Sequence, residues 1–189
     1  LVRNDLENNK KIIQRSAVVS DAVIFTRNLS NLPPNDCSPK DLATFAMDLS
    51  KNQKLKVSII EEAEMESKGF GGILAVGKGS SSSPKLIVLE YSGTTKNEKP
   101  IVIVGKAVTF DTGGISIKPS EKMEEMKFDK CGGCNILGIM KAVSDLNLES
   151  NVIGIIPAVE NMPSGSSYRP GDIIRMYNRK TVEVINTDA

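Results

Sequence analysis

Five charged residues in the second half of the sequence could bind a metal ion or polarise a substrate: Lys106, Asp111, Lys118, Asp129 and Asp188. Carboxylate oxygens are ligands for hard divalent cations, and a protonated lysine can stabilise an oxyanion. Two residues after Asp111 comes the pair Gly113-Gly114, where the backbone can approach a ligand closely. By residue type alone two alternatives stay open, because Asp111 could equally serve a turn and Lys118, beside a proline, could be solvated.

The sequence contains no histidine. This excludes from the chain itself a Ser-His-Asp triad, a Cys-His dyad, a zinc site with histidine ligands and a histidine general base. Lysine and arginine number 24 against 23 acidic residues, for a net charge of +1. This near-neutral balance argues against nucleic acid as a partner, because phosphate contacts need clustered basic residues.

The cysteine usage predicts a reducing, cytoplasmic location. The chain has three cysteines, an odd number, at Cys37, Cys131 and Cys134. Its start shows no basic segment followed by an apolar one, so no secretory signal is predicted. No run of 18 apolar residues occurs, and no membrane partner is therefore expected.

Two further motifs have competing interpretations. Gly72, Gly77 and Lys78 resemble the start of a phosphate-binding loop, but Gly79 stands where the motif needs Ser or Thr, which favours a Gly/Ser-rich turn. The segment Cys131–Cys134 is a C-x-x-C at the start of a predicted helix, where thiol pKa values fall and a redox pair is possible. The alternative is that its small residues allow close packing of helix against sheet.

Hydrophobic periodicity indicates the elements that must position the charged residues. A helical period predicts a first helix over 11–30, and Ser38 caps a second helix that begins at Pro39. Three continuous apolar runs, 86–89, 101–104 and 152–156, predict strands that are covered on both faces. The remaining predicted elements are a strand over 55–60, a short helix over 61–68, a short acidic helix that ends with Met126 and Asp129, and a helix with an apolar side over 136–146.

The alternation of strands and helices predicts a three-layer α/β/α sandwich with a mixed, largely parallel sheet. Lys106 follows the strand 101–104 directly, and Asp111 is expected in the loop beyond it. Ligands of open α/β sheets bind at the carboxyl ends of strands, so both residues are well placed for a site.

A series of long motifs in a constant order resembles the leucyl aminopeptidase family, cytosolic aminopeptidases with two metal ions. The similarity runs from about residue 15 to the last residue. The motifs are Leu32 to Asn35 with Ser38-Pro39, Gly105 to Pro119, Met126 to Asp129, Glu160 to Gly165, Arg169 to Asp172 and Asn186 to Ala189.

The resemblance implies a role for each matching position. Lys118 matches the catalytic lysine that polarises the scissile carbonyl, and Met126 matches a residue of the pocket for the first side chain. Four residues match the ligands of a dinuclear metal site: Lys106, Asp111, Asp129 and Asp188. The implied cofactors are two divalent metal ions, Zn²⁺ or Mn²⁺, with Mg²⁺ or Co²⁺ also compatible with oxygen ligands.

The resemblance also implies a reaction and an assembly. Two metal ions activate a shared water for attack on the peptide carbonyl, and one of them holds the free amine of the substrate. The expected function is therefore a metal-dependent aminopeptidase that removes N-terminal, Leu-like residues from peptides. Members of the family are cytoplasmic homo-oligomers, namely hexamers.

The chain differs from the family pattern in its extent. It starts at Leu1 and stops at Ala189, where the family continues with Glu-Gly-Arg, the Glu being a further metal ligand. We therefore expect 1–189 to be the N-terminal portion of the catalytic domain, truncated at both ends, and inactive in isolation. Lys130 stands where the family has an uncharged residue and is expected to add charge near the site.

Two alternative functions remain. One is a relative that keeps the fold without catalysis, against which the presence of all five charged residues argues. The other is a moonlighting regulator that binds DNA, against which the near-neutral charge argues.

Overall fold

The computed structural model of the chain describes residues 6–51, 54–96 and 98–189. Its helices are α1 (Leu6–Asn31), α2 (Pro39–Leu49), α3 (Glu62–Lys68), α4 (Gly71–Gly77) and α5 (Cys131–Asp145), with 3₁₀ turns at Pro34–Asp36 and Met123–Phe128. Its strands are β1 (Leu55–Ile60), β2 (Lys85–Ser92), β3 (Ile101–Val104), β4 (Ala107–Asp111), β5 (Asn151–Asn161), β6 (Ile173–Arg175) and β7 (Thr181–Glu183).

The start of α2 shows why the sequence begins a helix there. The Ser38 hydroxyl accepts a hydrogen bond from the Asp41 amide at 3.4 Å, and the Asp41 carboxylate accepts one from the Ser38 amide at 2.9 Å. This reciprocal capping box satisfies two amide donors that a helix start otherwise leaves unpaired. Pro39 occupies the first turn, where its missing N–H costs nothing. The predicted cap and helix start are thus confirmed.

The central sheet is organised around β5, its longest strand. β2 pairs with β5 and with β1 in antiparallel fashion, whereas β3 and β4 pair with β5 in parallel. Strands β3 and β4 lie one after the other along the same edge of β5, β3 opposite Val152–Ile155 and β4 opposite Ala158–Asn161. The predicted α/β fold with a mixed sheet is confirmed, with two parallel and two antiparallel pairings. A separate ribbon joins β6 and β7.

Helices cover both faces of this sheet, as in a three-layer sandwich. On one face, α2 and α5 form the main core with inward residues of β2 and β5, including Leu42, Ala46, Ile87, Leu89, Leu137, Met140, Ile156 and Ala158. On the other face, Phe70 and Ile73 line a cavity of about 350 Å³ together with Leu86, Val88 and Ile155. Successive residues of β2 therefore point to opposite layers, as the pleat of a strand requires.

Helix α1 packs on the outer side of α5. The contact centres on Gly138, where an added Cβ would lie 1.8 Å from the Thr26 hydroxyl and 3.2 Å from the Ala22 carbonyl oxygen. Only glycine allows the two helices to approach this closely. Among the described helices, none combines the length and the apolar character needed to cross a bilayer, and this includes α1 with its 26 residues.

Three sequence predictions are wrong at the level of elements. The run 101–104 forms β3, but it is not covered on both faces, because Ile101, Val102 and Val104 are 59%, 52% and 66% exposed at the edge of the sheet. Asp111 is the last residue of β4 and not part of a loop, since its backbone pairs with Asn161. The Gly72–Gly77 segment is not a turn but lies in α4, which packs against the backbone of Arg175.

Candidate functional site

The five charged residues come from five different places in the fold and meet beyond the ends of β3 and β4. Lys106 lies in the short link between these strands, and Asp111 ends β4. Lys118 lies in the loop that follows, and its amide donates to the Thr112 carbonyl at 2.9 Å. Asp129 directly follows the 3₁₀ helix Met123–Phe128, and Asp188 belongs to the last segment of the chain.

Lys106 pairs with Asp129 on one side of the site. The Lys106 Nζ lies 2.9 Å from Oδ1 and 2.8 Å from Oδ2 of Asp129, and it also donates to the carbonyl oxygen of Ala189 at 2.6 Å. The backbone of Lys106 is held as well, because its carbonyl oxygen accepts a hydrogen bond of 2.7 Å from the Gly133 amide at the start of α5.

Lys118 pairs with the other two aspartates. Its Nζ contacts Oδ1 of Asp188 and lies 3.5 Å from Oδ2 of Asp111. Burial opposes the charged form of Lys118, but the two carboxylates outweigh it and raise the pKa of this lysine. The hydrogen bond from Lys118 is also the main reason why the pKa of Asp188 is lowered. The arrangement therefore keeps Lys118 protonated and Asp188 ionised.

Asp111 is completely buried, and its two oxygens differ in their surroundings. Oδ1 accepts hydrogen bonds from the Gly113 amide at 2.9 Å and from Nδ2 of Asn161 at 2.8 Å. Oδ2 is buried and accepts no hydrogen bond from the described residues. Burial raises the pKa of Asp111, while the hydrogen bonds from Gly113 and Asn161 and the positive charge of Lys118 act in the opposite direction. A buried carboxylate oxygen without a hydrogen-bond donor is a suitable ligand position for a cation.

The Lys106–Asp129 pair and the cluster around Lys118 are connected by the end of the chain. Asp188 contacts Lys118, and the next residue, Ala189, contacts Lys106. Among the described residues, no three side chains of His, Cys, Asp or Glu form a group that could hold a metal ion. The carboxylates suit divalent cations chemically, but ammonium groups lie beside all three of them. A divalent ion at this site therefore competes with two lysines for the same oxygens.

Met126 lies within the 3₁₀ helix that leads to Asp129 and is half-buried. Its carbonyl oxygen accepts a hydrogen bond of 3.2 Å from the Asp129 amide. Met126 is thus a close neighbour of the site, and its role in binding the first side chain of a substrate stays a prediction.

Three residues that the sequence reasoning did not single out complete the site. Asn161, Tyr168 and Thr187 are buried and joined at one point, because Nδ2 of Asn161 and the Tyr168 hydroxyl both donate to the Thr187 carbonyl, at 2.9 and 2.8 Å. Asn161 and Thr187 lie inside motifs of the family resemblance, and this position could have indicated that they belong to the site. Tyr168 lies between two such motifs, so the sequence contained no indication of its role.

Lys130, which the sequence predicts to add charge near the site, is bound inside the fold. Its side chain is completely buried, and Nζ donates to the carbonyl oxygens of Ser30, Leu32 and Lys127. Three carbonyl acceptors match the three hydrogens of an ammonium group, which makes the burial of this charge tolerable. Lys130 thereby ties the start of α5 to the end of α1.

The C-x-x-C segment contains free thiols. Cys134 is completely buried, and burial raises its pKa, which disfavours the thiolate that redox exchange requires. Packing supports the alternative interpretation, because a Cβ on Gly133 would lie 2.6 Å from Cβ of Ala107 and 2.7 Å from Cγ2 of Ile156. The small residues therefore allow the first turn of α5 to lie directly on β4 and β5.

Comparisons with known proteins identify the family of the chain. The sequence model of the cytosol aminopeptidase family, catalytic domain, matches residues 24–189. A probable cytosol aminopeptidase of Cenarchaeum symbiosum is 58% identical over 179 residues, which cover 95% of this chain and 37% of that protein. A probable cytosol aminopeptidase of Nitrosospira multiformis is 47% identical over 189 residues, which cover 100% of this chain and 36% of that protein.

A solved structure agrees with the sequence comparison. The bottromycin maturation enzyme BotP in complex with Mn superposes with a TM-score of 0.88 at 32% sequence identity, covering 95% of this chain and 39% of that chain. This chain thus spans little more than a third of the length of the relatives that it matches. Sequence and fold agree, and the chain belongs to the cytosol aminopeptidase family.

Proposed function

We propose that this chain supplies the first ligands and the catalytic lysine of a metal-dependent aminopeptidase that removes N-terminal, Leu-like residues from peptides. The observation that carries the proposal is the buried Asp111, whose Oδ2 accepts no hydrogen bond from the residues that the structure describes and lies 3.5 Å from the protonated Lys118. The reaction needs a ligand for the cation beside a hydrogen-bond donor for the oxyanion. Asp111 and Lys118 are neighbours and can fill these two roles.

In this proposal, the carboxylates of Asp111, Asp129 and Asp188 and the amine of Lys106 hold two divalent cations, which supply a nucleophile from water near neutral pH. Lys118 keeps its proton, because Asp111 and Asp188 both favour its charged form, and donates to the oxygen on which negative charge develops.

The proposal also covers the identity of the metal ions, the substrate, the cellular location and the assembly. Oxygen ligands accept Zn²⁺, Mn²⁺, Mg²⁺ or Co²⁺, and the manganese in the BotP structure favours Mn²⁺ among them. The substrate is a peptide with a free N-terminus, and Met126 lines the pocket for its first side chain. The names of the relatives support a cytosolic location. A homo-oligomer, a hexamer as in the family, is the proposed assembly.

The first experiment replaces Asp111 by alanine in a full-length protein that carries this sequence. We expect this variant to lose its bound Mn²⁺. Substitution of a residue that only supports a metal ligand typically lowers activity by roughly 10–100-fold, and the fall in leucyl-peptide hydrolysis should exceed this range. The matched control is Asp48→Ala, which removes an exposed carboxylate of α2 that pairs with Lys51 on the surface. Normal metal content and activity in Asp111→Ala would contradict the proposed site. A wild-type protein that binds Mn²⁺ but hydrolyses nothing would indicate the non-catalytic alternative.

A second experiment tests the isolated 189-residue chain. Because the described residues present no group of three metal-binding side chains, we expect the chain alone to hold its cations weakly. Hydrolysis of a chromogenic leucyl substrate in the presence of added Mn²⁺ should therefore stay close to the background rate. Substantial turnover by the isolated chain would show that its ligand set is sufficient.

A further inference from the structure

Asn161 occupies the end of β5, between the strand that carries Asp111 and the segment that carries Asp188. Its side chain is buried, with 1% exposure. The two hydrogens of its Nδ2 have different acceptors: Oδ1 of Asp111 at 2.8 Å and the carbonyl oxygen of Thr187 at 2.9 Å. One amide group therefore connects two parts of the chain that are far apart in sequence.

The backbone of Asn161 strengthens the same connection. Its carbonyl oxygen accepts hydrogen bonds from the Thr112 amide at 3.0 Å and from the Thr112 hydroxyl at 2.9 Å. The Thr187 hydroxyl in turn accepts from the Ser116 amide at 2.8 Å and donates to the Gly113 carbonyl at 2.7 Å. The loop after β4 and the last segment of the chain thus form one hydrogen-bonded unit.

This network determines which oxygen of Asp111 faces the site. Oδ1 already accepts from Gly113 and Asn161, so only Oδ2 remains for a partner on the side of Lys118. Without the Asn161 donor, Oδ1 keeps only the hydrogen bond from the Gly113 amide, and the carboxylate can rotate more easily about its last bond. The Thr187 carbonyl precedes Asp188 directly, so the same amide also restrains the backbone that carries the second carboxylate.

The position of the Asn161 side chain depends on the space beside Gly114. An added Cβ on Gly114 would lie 2.8 Å from Oδ1 of Asn161 and 3.0 Å from the Thr187 hydroxyl. Gly114 also has a φ of +67°, which disfavours any other residue. The absence of a side chain at Gly114 therefore leaves the space that the Asn161 amide group occupies while it contacts both acceptors.

From this geometry we infer that Asn161 is a positioning residue that aims Oδ2 of Asp111 and the carboxylate of Asp188 at the same cation site. The inference rests on the proposed function, since it assumes that these aspartates are metal ligands. Hydrogen-bond partners of metal ligands orient them, and their removal typically weakens metal binding by roughly 10–100-fold.

The test measures Mn²⁺ affinity of the full-length protein by electron paramagnetic resonance, without reference to activity. Asn161→Ala should raise the dissociation constant for Mn²⁺ by about 10–100-fold. The matched control is Asn151→Ala at the other end of β5, because Asn151 accepts a hydrogen bond from the Thr94 amide far from the site. This control should bind Mn²⁺ as the wild type does. Excess Mn²⁺ should also restore most of the activity of Asn161→Ala, which a purely structural defect would not allow.

The outcomes separate the two proposals. A wild-type protein without Mn²⁺ affinity would overturn the proposed metal site, and the inference with it. A wild type that binds Mn²⁺ and a folded Asn161→Ala variant of equal affinity would overturn the inference alone. If circular dichroism shows that Asn161→Ala does not fold, Asn161→Ser is measured instead. Its single hydroxyl can donate one of the two hydrogen bonds, so it should bind Mn²⁺ more weakly than the wild type, and equal affinity would again overturn the inference.

Discussion

At the scale of single residues, the Lys130 ammonium group and the Cys37 thiol are both buried, but in different surroundings. The Lys130 ammonium has three carbonyl acceptors, whereas the nearby thiol of Cys37 lies in the apolar core without exposure. Burial raises the pKa of Cys37 from 9.0 to about 12, although the charge of Lys130 acts in the opposite direction. Cys37 therefore keeps its proton in the folded state under conditions in which the unfolded chain loses it.

This difference predicts a loss of stability at alkaline pH. Above pH 9 the unfolded state releases the Cys37 proton and the folded state retains it, so the free energy of unfolding falls as the pH rises from 9 towards 12. The slope from this thiol alone is at most about 1.4 kcal/mol per pH unit. Denaturant titrations between pH 8 and 11 measure the slope.

The Cys37→Ala variant isolates this contribution. It should be less stable at pH 8, because it leaves a small cavity, but its stability should decline less steeply with pH. Cys131→Ala serves as the control, since Cys131 is only half-buried, and should keep the steep decline. Equal slopes in wild type and Cys37→Ala would show that another group causes the alkaline sensitivity.

The residue scale also shows how far sequence patterns predict a site. Lys106, Asp111 and Asp129 stand out by type and by their place after strands or before a helix, and the structure pairs Lys106 with Asp129 and Asp111 with Lys118. The pairing of each carboxylate with a particular lysine was not predictable, because it depends on the register of β4 against β5. Asn161 was missed because nothing in an asparagine at the end of a strand indicates which two acceptors its amide will meet.

At the scale of elements, the first turn of α5 is held against the link between β3 and β4 by glycines. A Cβ on Gly132 would lie 2.7 Å from the Lys106 carbonyl oxygen, and one on Gly105 would lie 2.3 Å from the Gly132 carbonyl oxygen. The Gly133 amide donates to the same Lys106 carbonyl. The start of α5 therefore sets the backbone position of Lys106.

Gly133→Ala should disturb this contact. The new methyl group meets Ala107 and Ile156 at less than 3 Å, so helix and sheet must separate, at a cost of about 1–3 kcal/mol in the free energy of unfolding. Gly165→Ala is the matched control, because nothing lies within 4 Å of its added Cβ and its φ is not positive. Thermal unfolding of both variants measures the difference. A Gly133→Ala variant as stable as the control would mean that α5 does not depend on this close approach.

Elements with a strong apolar period were predictable, and short ones were not. Helices α2 and α5 and strands β1, β2 and β5 follow their hydrophobic patterns closely, and α1 contains the helix predicted over 11–30 but starts earlier, at Leu6. Strand β4 escaped detection because it is short, and its pairing with β5 is interrupted by an irregularity between Val108 and Asp111. Helix α4 contains three glycines, and its packing against Arg175 and Met176 supports a helix that its local sequence disfavours.

At the scale of the whole molecule, β3 is an edge strand of the sheet with exposed apolar side chains. In the described part of the chain no strand lies on its outer side, and its apolar side chains at Ile101, Val102 and Val104 are accessible. An open, apolar strand edge is a template for pairing with another chain. We therefore expect the isolated chain to self-associate in a concentration-dependent way.

Val102→Lys should reduce this association, because a charged side chain on an edge strand opposes pairing. Ile24→Lys is the control, since Ile24 is similarly exposed, at 56%, but lies on helix α1. Sedimentation velocity over a range of concentrations compares the variants. Self-association that is unchanged in Val102→Lys and abolished in Ile24→Lys would place the contact on α1 instead.

The central position of β5 also bears on the order in which the chain can fold. Strands β3 and β4 pair with β5 alone, and β5 follows β3 by about 50 residues. During synthesis, β1 can pair with β2 as soon as β2 has left the ribosome, whereas β3 and β4 must wait until residue 161 has left it. The sheet, and with it the meeting of Asp111 and Asn161, therefore closes late, and until then the apolar β3 is available to chaperones.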